Sequence, residues 1–268
     1  MNFIEKLAQA SKKNHSMLCV GLDPDPALML EKTGIFEFNK AIIDATADLV
    51  CAYKPNIAFY EAAGNAGLEA LKKTRDYIPE DIPVIIDAKR GDIGNTAKAY
   101  ARSLFDYYKF DAMTASPYLG YDSLEPFINY RDRGIFILCR TSNKGALDFQ
   151  SLSVKTNSGQ KMLFEVVAEK VNDWNKFGNL GLVVGATYPE ELKMIRDRYP
   201  EVPLLIPGVG AQGGELEKTV KYGADRERCK TVINVSRQIL YASKGKDFTT
   251  AARKAAEELR NSINDYLK

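Results

Sequence analysis

The chain has 268 residues, 45% of them hydrophobic and 27% charged, with a formal charge of +2; this supplies a sizeable core and no charge excess of the kind that binds nucleic acid or a membrane surface. A single histidine, His15, and four dispersed cysteines without a CxxC pair exclude Ser-His-Asp catalysis, histidine relays and multi-histidine metal sites. No run approaches the roughly 18 apolar residues of a membrane span.

At the N-terminus, Met1 to Leu7 carries an early acid and no long apolar core, so it reads as an amphipathic helix rather than a signal peptide, and a cytoplasmic protein is expected. Short β-rich runs follow at 17–22, 49–53, 84–86, 112–115, 135–139, 180–184, 204–206 and 232–235. Segments with helical spacing lie between them: one opens at Phe38 to Ile43, and others cover 61–77, 96–107, 161–174, 190–199 and 249–267. Alternating strands and helices imply parallel strands joined by crossover helices. About eight such units favour a single α/β domain over residues 1–268, a (β/α)8 TIM barrel with an N-terminal helix, rather than an open doubly wound sheet. Cys19, Cys51 and Cys139 fall inside the apolar runs and Cys229 just before one, which suits small buried hydrophobes in a reducing compartment. His15 reads as a surface residue at a helix end. The irregular stretch 141–160 has the composition of a mobile loop over an active site.

Chemistry in such a barrel sits where the strands end at their C-terminal face. The first strand ends in Gly21-Leu22-Asp23-Pro24-Asp25, the second in Lys54-Pro55-Asn56, the third in Asp87-Ala88-Lys89. The fifth ends in Arg140-Thr141-Ser142-Asn143, and the last two in Pro207 to Gly214 and in Asn234-Val235-Ser236-Arg237. Lysines at two strand ends and aspartates at two exceed what stability alone requires.

The third strand end carries the most information. Asp87 and Lys89 are two apart and leave an extended backbone on the same face. Two acids (Asp87, Asp92) and a lysine at the mouth of a buried strand cost desolvation unless they pair. A lysine between carboxylates keeps its charge, which makes it a proton donor that needs no metal. A solvated loop of mixed charge is the alternative for this run alone.

Gly208 to Gly213 spells GxGxxG. A dinucleotide fold would want an acid at the end of the next strand, but that strand ends in Ser236-Arg237. The glycines also come too late in the chain for a nucleotide-binding half to follow. A phosphate cradle fits better: Gly208, Gly210, Gly213 and Gly214 free the backbone to approach an anion, and Arg237 offers a charged fork. A plain glycine-rich turn is the competing reading.

With both motifs in place, the chain resembles the orotidine 5′-phosphate decarboxylases, and in particular their larger bacterial subfamily. The likeness covers nearly the whole chain, with Asp87 to Thr96 and Pro207 to Gly214 as its specific segments. It implies a cofactor-independent and metal-independent enzyme acting on a small nucleotide, working as a homodimer with shared active sites. Lys54, Asp87 and Lys89 resemble three members of the family's alternating Lys-Asp-Lys-Asp array. Asp92 resembles the fourth, which the family donates from the partner subunit along with Thr96. The resemblance also implies that Asp23 holds ribose hydroxyls, Ser142 contacts the pyrimidine, and Gln212 bridges base and phosphate beside Arg237. Pro207, Gly208, Gly210, Gly213 and Ser236 complete the implied substrate-binding set. Decarboxylation at C6 would leave charge on a vinylic carbon, which a fixed ammonium at Lys89 could stabilise and then protonate.

Two other readings compete. A metal-dependent sugar-phosphate decarboxylase or aldol-type synthase can carry a DxKxxD run, but would need a further acid where the second strand ends in Lys54. A non-catalytic nucleotide-binding barrel could keep Arg237 and the glycines, yet would not require Lys54, Asp87 and Lys89 together.

Overall fold

The structure is a computed structural model and describes residues 1–30, 33–157, 159–209 and 216–268. Its strands are β1 (Leu18–Leu22), β2 (Ala52–Pro55), β3 (Ile85–Arg90), β4 (Ala112–Ala115), β5 (Gly134–Arg140), β6 (Ser153–Thr156), β7 (Gly159–Met162), β8 (Leu180–Val184), β9 (Leu204–Pro207) and β10 (Thr231–Val235). Eight of them form one parallel sheet in the order β2-β1-β10-β9-β8-β5-β4-β3. Its two outer strands meet through parallel bridges at Tyr53–Val84 and Asn56–Asp87, so the sheet curls round into a (β/α)8 barrel, as the alternation of elements implies.

The helices are α1 (Phe3–Asn14), α2 (Ile35–Thr46), α3 (Ile57–Glu61), α4 (Gly64–Tyr77), α5 (Gly94–Arg102), α6 (Tyr121–Ile128), α7 (Leu163–Trp174), α8 (Pro189–Arg198), α9 (Leu216–Gly223), α10 (Arg237–Leu240) and α11 (Phe248–Asp265). A π-helical turn, Ser103–Tyr107, continues α5. No described helix is long and apolar enough to cross a membrane. His15 is exposed and caps α1 in a left-handed conformation, φ 46°. All four cysteines are free and buried.

Three differences from the sequence expectations have physical causes. The second strand starts at Ala52 rather than at Leu49, because Asn14 Nδ2 donates to the carbonyls of Ala47 and Val50 and holds that stretch as a turn. The expected helix 61–77 is divided, with α3 ending at Glu61 and α4 beginning at Gly64, whose φ of 63° breaks a continuous right-handed helix. The stretch 141–160 is not an irregular loop: it holds a 3-10 turn, Lys144–Asp148, and the antiparallel hairpin β6–β7. Both hairpin strands are largely solvent-exposed, so no buried face marks them in the sequence.

The barrel interior explains why its far end can hold charge. Cys19, Ala52, Ile85, Ala112, Phe136, Val183, Leu205 and Val232, one from each barrel strand or its immediate flank, form a buried apolar layer with Phe3 and Leu7 of α1. The α1 side chains plug the N-terminal end, where the Phe3 and Phe136 rings meet edge to face at 5.7 Å. Burying each such large side chain is worth about 1.5–3 kcal/mol. Side chains alternate along a strand, so the next inward positions, two residues on, face the opposite mouth. They include Gly21, Lys54, Asp87, Thr114, Pro207 and Asn234. The floor is dry and apolar; the layer above it is polar.

Candidate active site

A cavity of about 370 Å³ opens at the C-terminal mouth, and Asp23, Lys54, Asp87, Gly208, Asn234 and Arg237 are among the residues that line it. Asp87 is its hub. Lys54 Nζ donates to Asp87 Oδ2 at 3.1 Å, and Lys89 Nζ donates to Oδ1 at 2.6 Å. The Thr114 hydroxyl donates to the same Oδ1 at 2.8 Å. Burial alone would raise the Asp87 carboxyl, but the Lys54 and Lys89 ammoniums and these hydrogen bonds outweigh it and hold it well below the usual carboxylate range. Burial likewise opposes the charge on Lys54, whose side chain is 5% exposed. The carboxylates of Asp87 and Asp23 prevail, and the ammonium is held above the ordinary lysine range. Three charges that would be costly singly are stable as a group.

Lys89 sits in the left-handed region, φ 45°, which costs a non-glycine residue on the order of 1–3 kcal/mol. Its backbone N–H is held by Thr114 Oγ1 at 3.0 Å. Thr114 therefore fixes both the Lys89 backbone and the Asp87 carboxylate. Lys89 is not itself among the residues that line the cavity; half of its side chain is exposed, and its Nζ reaches the rim through Asp87 Oδ1.

At the other end of the cavity, the Ser236 side chain packs directly on Gly21 of β1. A Cβ on Gly21 would lie 1.9 Å from Ser236 Oγ, so only glycine lets Ser236 sit against the strand that leads to Asp23. Gly208 has φ 91°, a conformation that side chains rarely adopt, and lines the cavity between Pro207 and Val209. Arg237, exposed, lines this same end. An anion here would meet the guanidinium and the backbone at Gly208.

The structure thus brings together Lys54, Asp87 and Lys89 at one end, Asp23 between, and Pro207, Gly208, Ser236 and Arg237 at the other. Gly210, Gln212, Gly213 and Gly214 lie outside the described residues. Asp92 and Thr96 do not line the cavity; Asp92 Oδ1 accepts from its own neighbour, Ile93 N, at 2.8 Å, and Thr96 is exposed on α5. Ser142 is also outside the lining, but its backbone is wedged against Gly185, where an added Cβ would lie 2.9 Å from Ser142 N. The Gln150 side chain grips the adjacent Thr141, accepting from its N–H and donating to its hydroxyl, both at 2.8 Å.

Among the residues at the site to which sequence reasoning gives no role are Thr114, Asn234 and Tyr241. Thr114 and Asn234 share the inward parity of Lys54 and Asp87, and that count would find them. Asn234 is 8% exposed and accepts from Cys19 Sγ at 3.6 Å. Tyr241 lines the cavity from beyond α10, and no local pattern announces it. Among the described residues no three His, Cys, Asp or Glu side chains gather as metal ligands. Where a magnesium site would want a second carboxylate, Lys54 occupies Asp87 Oδ2.

Comparison with known proteins agrees with this geometry. The model of the "Orotidine 5′-phosphate decarboxylase / HUMPS family" matches residues 16–255. The orotidine 5′-phosphate decarboxylase of Dehalococcoides mccartyi (strain CBDB1) is 55% identical over 268 residues, covering 100% of this chain and 99% of the relative. That of Herpetosiphon aurantiacus is 52% identical over 260 residues, 95% of each. The solved structure of Leishmania donovani OMP decarboxylase superposes with a TM-score of 0.86 at 41% identity, over 99% of this chain and 98% of that one. The chain belongs to the orotidine 5′-phosphate decarboxylase family, carboxy-lyases of pyrimidine biosynthesis.

Proposed function

We propose that this chain, as one barrel domain, decarboxylates orotidine 5′-phosphate to uridine 5′-phosphate without metal or other cofactor, with Lys89 as proton donor to C6. The observation that carries the reading is the Lys54–Asp87–Lys89 cluster on one carboxylate, at the opposite end of a cavity from Arg237 and Gly208. The C6–carboxylate bond breaks, carbon dioxide leaves, and the electron pair stays on C6. The Lys89 ammonium stabilises that charge and passes its proton to C6; solvent then reprotonates the amine. Asp87 would lie against the departing carboxylate, and Lys54 keeps Asp87 fixed and ionised. The phosphate is bound far from the reacting carbon, so its binding energy can order the site around the substrate.

The direct test is incubation with orotidine 5′-phosphate, followed as loss of its ultraviolet absorbance. Full activity should survive exhaustive chelation with EDTA. Activity lost on chelation and restored by magnesium would instead support the sugar-phosphate alternative.

Arg237→Ala should raise KM for the phosphorylated substrate by roughly 10- to 150-fold, the range of a lost hydrogen bond to a charged group, about 1.5–3 kcal/mol. A nucleoside substrate without the phosphate should hardly notice the change. Steady-state kinetics on both substrates decides it, and equal damage to the two would make Arg237 structural.

The reading includes a homodimer in which Asp92 and Thr96 complete the partner's site. Neither faces the cavity of its own chain, and neighbouring loops leave Ile93 58%, Tyr118 84% and Leu119 48% exposed, an apolar margin that a second copy would cover.

A further inference from the structure

Tyr241 ties the loop that carries Asp23 to the Ser236–Arg237 end of the site, two segments that the sequence keeps more than two hundred residues apart. Its hydroxyl donates to the carbonyl of Asp23 at 2.8 Å and accepts from the backbone N–H of Asp25 at 2.7 Å. Both partners are backbone groups of the loop that follows β1. Tyr241 itself closes α10, its N–H donating to the Arg237 carbonyl at 3.1 Å. The ring is braced from behind: it stacks on Phe38 at 5.9 Å, and Phe38 stacks on Phe248 at 5.4 Å. Burial pushes the phenol up to about 12, so the hydroxyl keeps the proton it donates.

The loop held in this way carries a side chain with unfinished bonding. Asp23 Oδ1 is buried and has no hydrogen-bond partner, although burying an unpaired carboxylate oxygen is expensive. Asp23 Oδ2 lies beside Gly21, 3.3 Å from where a Cβ on that glycine would sit. Asp23 lines the cavity, and the aim of its carboxylate depends on where the Asp23 backbone is fixed.

We propose that Tyr241 is a positioning residue: through the Asp23 carbonyl and the Asp25 amide it locks the ribose-facing carboxylate of Asp23 in register with the phosphate segment Ser236–Arg237. The inference rests on the reading of Asp23 as the ribose ligand of a decarboxylase. The phenol does not touch the reacting carbon. It fixes the separation between the group that holds the sugar and the group that holds the phosphate, so that a nucleotide of one length is gripped at both ends at once.

The test is a double-mutant cycle on kcat/KM for orotidine 5′-phosphate, with Tyr241→Phe, Asp23→Ala and the pair. Phenylalanine keeps the ring in its stack, so circular dichroism should match the wild type and the melting temperature should fall only by what two lost hydrogen bonds to the loop cost. Tyr241→Phe alone should lower kcat/KM about tenfold, as expected for a lost positioning hydrogen bond. In the Asp23→Ala background the same change should cost less than about twofold, because the carboxylate it positions is gone. A substrate analogue lacking both ribose hydroxyls should be equally insensitive to Tyr241→Phe. The same fold loss in both backgrounds, or none in either, with a wild-type chain that turns the substrate over, would overturn this inference alone. No turnover by the wild-type chain would overturn the decarboxylase reading and this inference with it.

Discussion

Replacing Lys89 with alanine should leave a folded protein with no measurable turnover of orotidine 5′-phosphate. Half of the Lys89 side chain is exposed, and among the described residues its ion pair is to Asp87, so its removal opens no cavity in the core. Asp87 keeps the Lys54 ammonium at 3.1 Å and the Thr114 hydroxyl at 2.8 Å. Alanine also has a Cβ, so the strained φ of 45° is no worse than before. The chemical loss is large because one group serves two purposes. General acid catalysis is worth about 10²–10⁴ in rate, and a preorganised charge beside a developing anion about another 10²–10³. The measurement is kcat on purified protein whose melting curve matches the wild type. Retention of even a tenth of the wild-type kcat would remove Lys89 from the role of proton donor.

Much of this site is legible in the sequence because a barrel turns strand parity into geometry. Once 52–55 and 85–90 are strands, Lys54 and Asp87 each fall two residues beyond an apolar inward position, Ala52 and Ile85, and must emerge at the same mouth. The same count marks Thr114 after Ala112 and Asn234 after Val232. Those two are easily passed over, because a threonine and an asparagine in apolar runs bring no charge to a strand end. Tyr241 is not legible by any count. Its bonds to Asp23 and Asp25 depend on how the loop after β1 folds back over α10, which neither segment encodes alone. The hairpin β6–β7 is hidden for the opposite reason: its strands bury too little to show a period. Asp92 stands out in the sequence as the second acid of the run, but in the fold its carboxylate accepts from the Ile93 amide and does not line the cavity of its own chain, so its place in a shared site comes from resemblance alone.

That position of Asp92 gives the shared-site dimer its decisive consequence. Homodimers of Lys89→Ala and of Asp92→Ala should each be defective in both sites. If each site takes Lys89 from one subunit and Asp92 from the other, a mixed dimer concentrates both lesions in one site and leaves the second wholly wild type. Random association of equal amounts makes about half of the dimers mixed, by the two-fold symmetry of such assemblies, and about a quarter of all sites should therefore recover. A quarter of wild-type activity, rising from two nearly dead preparations, is far outside any change in stability or specific activity of either alone. The experiment is to unfold and refold the two variants together, confirm mixed dimers by mass, and compare turnover with each variant refolded by itself. No recovery in confirmed mixed dimers would return Asp92 to its own subunit. The segment from Gly91 to Ile93 that leads into α5 would then have to swing inward on substrate binding, carrying Asp92 away from the Ile93 amide that it now accepts from at 2.8 Å.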